Sequence, residues 1–318
     1  MVSGETVSVV VPVYKGEMTL EPLIEELDAL GASMRSESDP SLQITEVILV
    51  HDCGPGDSAR VMQELEERCD LVRCVWLTRN FGQHAATIAG ISASSGDWVV
   101  TIDEDGLHDP AVIPTLIEHA RREGVPLAYG QPSEGRPHAW YRNLTSDLAK
   151  WIFRILSGQP DFAEFTSFRA IEGPQARILA AYCGHGVYLD VALTWIVDGA
   201  TGVPVRYRTE GRASGYRMRS LLSHFRRLVL TSGTRPLRFI AAVGFAATVV
   251  GIVLAVTLVV IGLFFEVDAA GWTSLMLTIT VFSGLILMAL GIVAEYLSVA
   301  VTMATGRPLY VTRSGPPD

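Results

Sequence analysis

Apolar and polar positions along this chain alternate between two periods. Val7 to Val13 is an almost unbroken apolar run and predicts a buried strand. From about Thr19 to Met34 the apolar residues Leu20, Leu23, Ile24, Leu27 and Leu30 recur at helical spacing. Ile44 to Val50 predicts a second strand, which ends in the turn-rich stretch His51, Asp52, Cys53, Gly54, Pro55, Gly56 and Asp57 before a helix starting near Ser58. Leu71 to Leu77 predicts a third strand, followed by Thr78, Arg79, Asn80, Phe81 and Gly82 and a helix to about Ala93. Trp98, Val99, Val100 and Ile102 predict a fourth. Strands that are apolar throughout and alternate with helices imply an α/β fold: a mostly parallel, Rossmann-like sheet with helices on both faces.

Beyond Asp109 the pattern is less regular. Leu127 to Gly130, Phe165 to Ile171 and Val203 to Tyr207 predict further strands. His138 to Leu156 is amphipathic, with Trp140, Trp151 and Ile155 on one face and Arg142, Lys150 and Arg154 among the polar positions, which fits a membrane interface or packing on the sheet. Tyr216 to Leu230 predicts a second, basic amphipathic helix at the membrane surface.

Two runs then change the picture. Phe239 to Phe265 and Trp272 to Ala294 contain no charged residue, and each exceeds the roughly 20 residues that span a hydrocarbon core. Two transmembrane helices are predicted. The domain plan is a catalytic domain over 1–210, an interfacial region over 211–237, two spans over 238–300 and a tail over 301–318.

Charge orients this plan. Nine arginines between Arg206 and Arg238 face a single Glu210, the linker between the runs holds Glu266 and Asp268, and the tail holds Arg307 and Arg313. The positive-inside rule puts the catalytic domain and both termini on the cytoplasmic side of a multi-pass protein of the cytoplasmic membrane. The net charge of −9 argues against nucleic acid as a partner. Cys53, Cys69, Cys74 and Cys183 lack metal-ligand spacing and read as free thiols of a reducing compartment. The chain opens on a strand with no basic-then-apolar leader, so no cleaved signal peptide is expected.

The candidate chemistry lies at the end of the fourth strand, where Asp103, Glu104, Asp105 and Asp109 precede Pro110. Alternation along an extended chain puts Asp103 and Asp105 on one face and turns Glu104 away. Two hard carboxylates converging at a strand end suit Mg²⁺ or Mn²⁺ bridging a diphosphate, with water and phosphate completing the shell. A solvated acidic turn has the same composition, but open α/β sheets bind ligands at this end of their strands.

The motifs VVPVYKGEMTL, VHDCGPGDS, LTRNFGQHAA and IDEDGLHDP, in this order, resemble the family 2 inverting glycosyltransferases of GT-A fold. The close of the chain, GWTSLMLTITVFSGLILMALGIVAEYLSVAVTMATGRPLYV, resembles the two-helix anchor of the bacterial polyprenyl-phosphate glycosyltransferases, relatives of dolichol-phosphate mannose synthase. The resemblance implies that Pro12, Tyr14 and Glu17 contact the nucleoside of a nucleotide sugar and that Asp52 meets the nucleobase. It implies that Asp103 and Asp105 bind the metal, while Arg79 and Asn80 reach sugar or phosphate, with a structural role for Asn80 equally open. His108 is expected to position neighbours and not to ligate metal.

Several positions depart from the family. Thr166, Ser167, Phe168 and Arg169 stand where many relatives have Asp before Phe-Arg, so Ser167 is a substrate-contact candidate and not a base, with Arg169 beside it. Arg208, Arg212, Ser214 and Tyr216 occupy the acceptor-phosphate region with shifted spacing, so the clamp is either Arg208 or Arg212. Gln131 and Pro132 replace an expected Arg, for which Arg136 is the substitute.

The implied reaction is inverting transfer of one sugar from a UDP- or GDP-hexose to polyprenyl phosphate, by a protein that assembles as a homo-oligomer. A phosphate monoester is largely a dianion near neutral pH, so its attack needs no strong base. Two other readings stand beside this one. A processive polysaccharide synthase would carry a Gln-x-x-Arg-Trp motif and more helices, and this chain has neither; a catalytically silent membrane-bound scaffold is the alternative of a different class.

Overall fold

A computed structural model of the chain describes residues 4–36, 41–133, 165–184, 189–208, parts of 240–260, and 271–317. Strand β1 (Glu5–Val13) leads into helix α1 (Leu20–Ser36), β2 (Leu42–His51) into α2 (Ser58–Arg68), and β3 (Val72–Leu77) into α3 (Gln83–Ala93). After β4 (Trp98–Thr101), a short 3₁₀ turn at Pro110–Val112 opens α4 (Ile113–Glu123), followed by β5 (Leu127–Pro132). Then come β6 (Arg169–Glu172), α5 (Gly173–Tyr182), α6 (Leu189–Ile196) and β7 (Thr201–Val205). Helices α7 (Ile240–Val253) and α8 (Trp272–Ala304) precede a last strand, β8 (Thr312–Arg313).

These strands form one sheet in the order β7-β5-β6-β4-β1-β2-β3-β8. β1 pairs in parallel with β2 and β4, and β2 with β3, whereas β6 runs antiparallel to β4 and β8 antiparallel to β3. The sheet is therefore mixed at both flanks of a parallel centre. Val7, Val9, Val11 and Val13 of β1 pack on one side with Leu20, Leu23 and Leu27 of α1, Met62 of α2 and Leu116 of α4. Val10 faces the other side, with Ile48, Val50, Ile88 of α3, Leu179 of α5 and Leu193 of α6. Burial on both faces explains why the central strands carry long apolar runs and not apolar residues at alternate positions alone.

Helix α8 runs for 33 residues and leaves Ile286, Leu287, Met288, Leu290 and Leu297 exposed. Its apolar window, Phe282–Thr302, is 21 residues long, and among the described residues it is the one helix long and apolar enough to cross a membrane. The helix continues past Glu295, so the window is displaced toward the carboxyl end of the predicted Trp272–Ala294 span. Only part of the other predicted span, Phe239–Phe265, is described, as α7, and this leaves the two-helix anchor as an expectation. The predicted amphipathic helices over 138–156 and 216–230 lie outside the described residues.

After Ala304, Gly306 adopts a left-handed φ of 62° and Pro308 follows, which stops the helix. The chain then returns to the sheet: Leu309 and Tyr310 pack on the α3–α5–α6 side, and β8 covers the edge of β3. All four cysteines are free, and burial pushes the Cys183 thiol up to about 11, an unreactive state.

Candidate active site

The chain leaves β1 for β2 and β3 on one side, then crosses back to β4 on the other. The strand order reverses between β1 and β4, and the loops after these two strands meet at this switch point, where open α/β sheets form their ligand crevice.

Three acids follow β4. Asp103 is half-buried; its Oδ1 accepts from the Gln83 side-chain amide at 2.7 Å and its Oδ2 from the Ser167 hydroxyl. Burial raises its pKa, against the pull of His108 and the Ser167 bond, and the charge of Asp105 adds to the rise. Asp105 is exposed, with Oδ1 accepting from the Leu107 N–H at 3.1 Å. Glu104 points to the loop after β1, where it accepts the N–H groups of Tyr14 and Lys15, each at 3.0 Å. His108 is buried, stacked on Phe168 at 5.1 Å and edge-on to Tyr207 at 4.9 Å between ring centroids. Burial lowers its pKa, against the pull of the Asp103 and Asp105 charges.

This donor set suits a hard divalent cation. Asp103 and Asp105 interact electrostatically at one strand end, and a cation would relieve that repulsion. No group of three or more His, Cys, Asp and Glu able to hold a metal occurs among the described residues, so the remaining ligands would be water and phosphate oxygens.

The predicted donor residues gather at neighbouring strand ends. Pro12 is buried in β1, whereas the Tyr14 ring is 41% exposed at its end. Glu17 accepts from the Ser58 hydroxyl at 3.0 Å. A side chain on Gly54 would place its Cβ 1.5 Å from the Tyr14 carbonyl oxygen, so only glycine lets the loops after β1 and β2 touch. Beside it, Cys53 holds φ at 48°, strained for a residue with a side chain, and its Sγ donates to the Leu77 carbonyl at 3.0 Å. Asp52 is buried; its Oδ1 accepts from Phe81 N–H at 2.7 Å and its Oδ2 from Gly82 N–H at 2.9 Å. Burial raises the Asp52 pKa against those two bonds. Each oxygen keeps a second lone pair. Arg79 stacks on the Phe81 ring at 4.2 Å, and Asn80 is exposed next to it.

Arg169 is placed differently from its predicted role. It is a core group, ion-paired with Asp190, donating from Nε to Thr101 Oγ1 at 3.2 Å and lying over the Tyr129 ring. The Tyr129 hydroxyl donates to the same Asp190 at 3.1 Å. Thr101 Oγ1 in turn donates to the Ser167 carbonyl. Arg169 therefore reaches the acid motif through Thr101 and Ser167 and does not line the cleft.

Arg208 donates to Glu26 at 2.8 Å and to Asp109 at 3.1 Å, so two carboxylates already offset its charge. Arg212, Ser214, Tyr216 and Arg136 lie outside the described residues. Sequence reasoning missed Gln83, although it stands in the LTRNFGQHAA stretch, and it missed Thr101 and the loop-holding role of Glu104. Polar side chains on fixed loops carry no periodic signal; only their place at strand ends marks them.

A mixed, open α/β sheet with acids gathered at its switch point defines a ligand-binding α/β protein of the doubly wound type. The glycosyl transferase family 2 profile matches residues 8–171 of the 318, just over half, and the chain belongs to that family of glycosyltransferases. It is 27% identical to an undecaprenyl-phosphate 4-deoxy-4-formamido-L-arabinose transferase of Edwardsiella ictaluri, over 98% of this chain and 96% of that one. A Pseudomonas paraeruginosa protein of the same name is 29% identical over 98% and 92%. Among solved structures, glucosyl-3-phosphoglycerate synthase from Mycobacterium tuberculosis in complex with UDP aligns with 73% of this chain and 80% of its own, at 21% identity and a TM-score of 0.49.

Proposed function

We propose that this glycosyltransferase moves a single sugar, with inversion, from a UDP- or GDP-sugar to a polyprenyl phosphate at the cytoplasmic face of the membrane. The observation that carries the reading is where α8 rejoins the domain. Because β8 runs antiparallel to β3, with Leu77 opposite Thr312 and Trp76 opposite Arg313, the tail arrives at the carboxyl end of β3. That edge bears Asp52, Asp103 and Asp105. Only Thr305, Gly306, Arg307 and Pro308 separate α8 from the docked Leu309, a reach under about 20 Å. A membrane-crossing α8 would therefore bring the bilayer surface close to the acidic site, as a lipid-borne acceptor requires. The near full-length match to transferases named for undecaprenyl phosphate supports the same acceptor class.

Topology follows by parity. The domain that ends at Arg208 and the tail from Leu309 belong to one sheet and lie on one side of the membrane. With α8 as one crossing, a second crossing that includes α7 would return the chain to that side. The anchor then has two spans, with both termini on the catalytic side. Oligomerisation through this anchor belongs to the same proposal.

A bound Mg²⁺ or Mn²⁺ would offset the charge that develops on the departing nucleoside diphosphate. Asp103, steadied by Gln83 and Ser167, and Asp105 would hold it. Asp52, Tyr14 and Glu17 would take the nucleoside, and Arg79 with Asn80 the sugar or phosphate. With Arg208 committed to Glu26 and Asp109, the acceptor phosphate falls to Arg212, Ser214, Tyr216 and Arg136. The acceptor dianion attacks without help from a strong base.

The test uses the purified full chain in lipid nanodiscs with undecaprenyl phosphate, Mg²⁺ or Mn²⁺, and a panel of radiolabelled UDP- and GDP-sugars. One donor should yield an acid-labile, lipid-extractable product that Asp103→Asn abolishes. No product from any donor, together with unchanged cells carrying Asp103→Asn and Asp105→Asn, would overturn the reading.

A further inference from the structure

The segment after α8 does more than cover a strand edge. The Thr78 N–H donates to the Val311 carbonyl at 2.9 Å, in the register that pairs Leu77 with Thr312 and Trp76 with Arg313. That single bond turns the Val311 carbonyl toward β3, so by alternation Leu77–Thr312 is a non-hydrogen-bonded pair and the Thr312 N–H faces away.

Thr78 also begins the loop that ends in Phe81 and Gly82, whose N–H groups hold both oxygens of Asp52. Arg79 stacks on Phe81 within it. Leu309 and Tyr310 pack on the same hydrophobic cluster as Phe81. The loop is pinned by the tail at one end and by Asp52 at the other.

We infer that Leu309, Tyr310 and Val311 are positioning residues of the nucleotide site, holding the 78–82 loop against Asp52 so that docking of the tail and binding of nucleotide strengthen each other. The inference rests on the donor reading of Asp52, Arg79 and Asn80 proposed above. Thermodynamic linkage makes the effect reciprocal: whatever factor the docked tail adds to nucleotide affinity, bound nucleotide adds to tail docking. Since the tail continues directly from α8, the same linkage joins the membrane helix to the donor loop.

The experiment uses the full chain in nanodiscs with UDP and GDP as probes in the presence of Mg²⁺. Val311→Pro sets a proline ring beside the carbonyl that meets Thr78, on the side of the tail that faces β3, whereas Thr312→Pro sets one on the side that faces away, a position where an edge strand accepts proline. Val311→Pro should weaken nucleotide binding about tenfold, within the usual range of coupling, and shrink the nucleotide-induced rise in melting temperature at fixed nucleotide concentration. Thr312→Pro should bind within about twofold of the parent, since it leaves the coupling intact. In the parent, nucleotide should slow hydrogen exchange at the Arg313 amide, which by the same alternation meets Trp76, as well as across Thr78–Gly82. A tail that only stabilised the fold would lower the melting temperature and leave the nucleotide-induced rise intact. If Val311→Pro does not fold, the parent exchange measurement decides: unchanged tail exchange overturns the inference. A parent that binds nucleotide while Val311→Pro binds it equally well overturns this inference alone, and a parent that binds neither nucleotide overturns the donor reading and the inference with it.

Discussion

The carboxylate of Glu104 accepts the backbone N–H of Tyr14 at 3.0 Å, across the switch point between β4 and β1. A second bond, from Lys15 N–H at 3.0 Å, makes the contact bidentate. The middle acid of the Asp103–Asp105 motif thus holds the loop that presents Tyr14 and Glu17. The groups proposed above for metal and for nucleoside are joined through one side chain.

Glu104→Gln keeps the size of that side chain but sets an NH₂ group against a backbone N–H. Hydrogen bonds to a charged group contribute about 1.5 to 3 kcal/mol each, so the loss of one should weaken UDP or GDP binding roughly tenfold. Calorimetric titration of the variant in Mg²⁺ checks this, and an unchanged affinity would show that the loop is held by other contacts.

Gln83 and Ser167 each fill one oxygen of Asp103. Groups that orient a metal-binding carboxylate typically change metal affinity by about 10- to 100-fold when removed. Gln83→Leu and Ser167→Ala should therefore raise the Mg²⁺ concentration needed for half-maximal transfer by about that factor and recover much of their rate in excess metal. Asp103→Asn should not recover at any metal concentration. A metal titration of all three variants separates these outcomes.

Arg169 and Asp190 form an ion pair closed off from solvent, with Tyr129 donating to the same carboxylate. Removing one partner of such a pair leaves the other charged and unsatisfied, at a cost of about 3 to 5 kcal/mol. Arg169→Met and Asp190→Leu should each destabilise the domain by that order, and the double variant by less than either alone. Urea unfolding of the three proteins tests this; a double variant as unstable as the sum of the singles would mean the two residues act independently.

The central architecture was legible because its signal is redundant. Val7 to Val13 is apolar but for Ser8 and Ile44 to Val50 but for Thr45 and Glu46, and the observed β1 and β2 extend these runs by two and three residues. The acid motif could be found because it stops such a run at the carboxyl end of β4. What escaped lacks periodicity. β8 is two residues long and pairs far from its sequence neighbours, so nothing local announces it. Arg169 looked like a cleft residue because it follows Ser167 and Phe168, but a strand of four residues cannot reveal that its guanidinium turns inward to Asp190. Arg208 likewise read as a candidate clamp for the acceptor phosphate, since its partners Glu26 and Asp109 come from α1 and from the turn before α4 and nothing local announces them.

Glu46 gives the fold a pH dependence whose sign is fixed. Its carboxylate accepts from the Ser8 hydroxyl at 2.6 Å, the Ser95 N–H at 2.7 Å, the Ser95 hydroxyl at 2.8 Å and Arg73 at 3.0 Å, tying β1, β2, β3 and the approach to β4 together. Burial works against the charge, but these bonds and the charge of Arg73 outweigh it and hold the pKa below the ordinary 4.5. A depressed folded-state pKa contributes stability that is fully present above the unfolded value and is lost as pH falls through the folded one. Asp97, also held low by Thr6, titrates alike in parent and variant and cancels from the comparison. Glu46→Gln should therefore be less stable than the parent by about 1 to 3 kcal/mol at pH 7. That gap should stay constant down to about pH 5 and close as the medium is acidified further. Urea unfolding of both proteins at pH 7, 5 and 3.5 measures it, and a gap independent of pH would mean that the Glu46 cluster is held by shape and not by its charge.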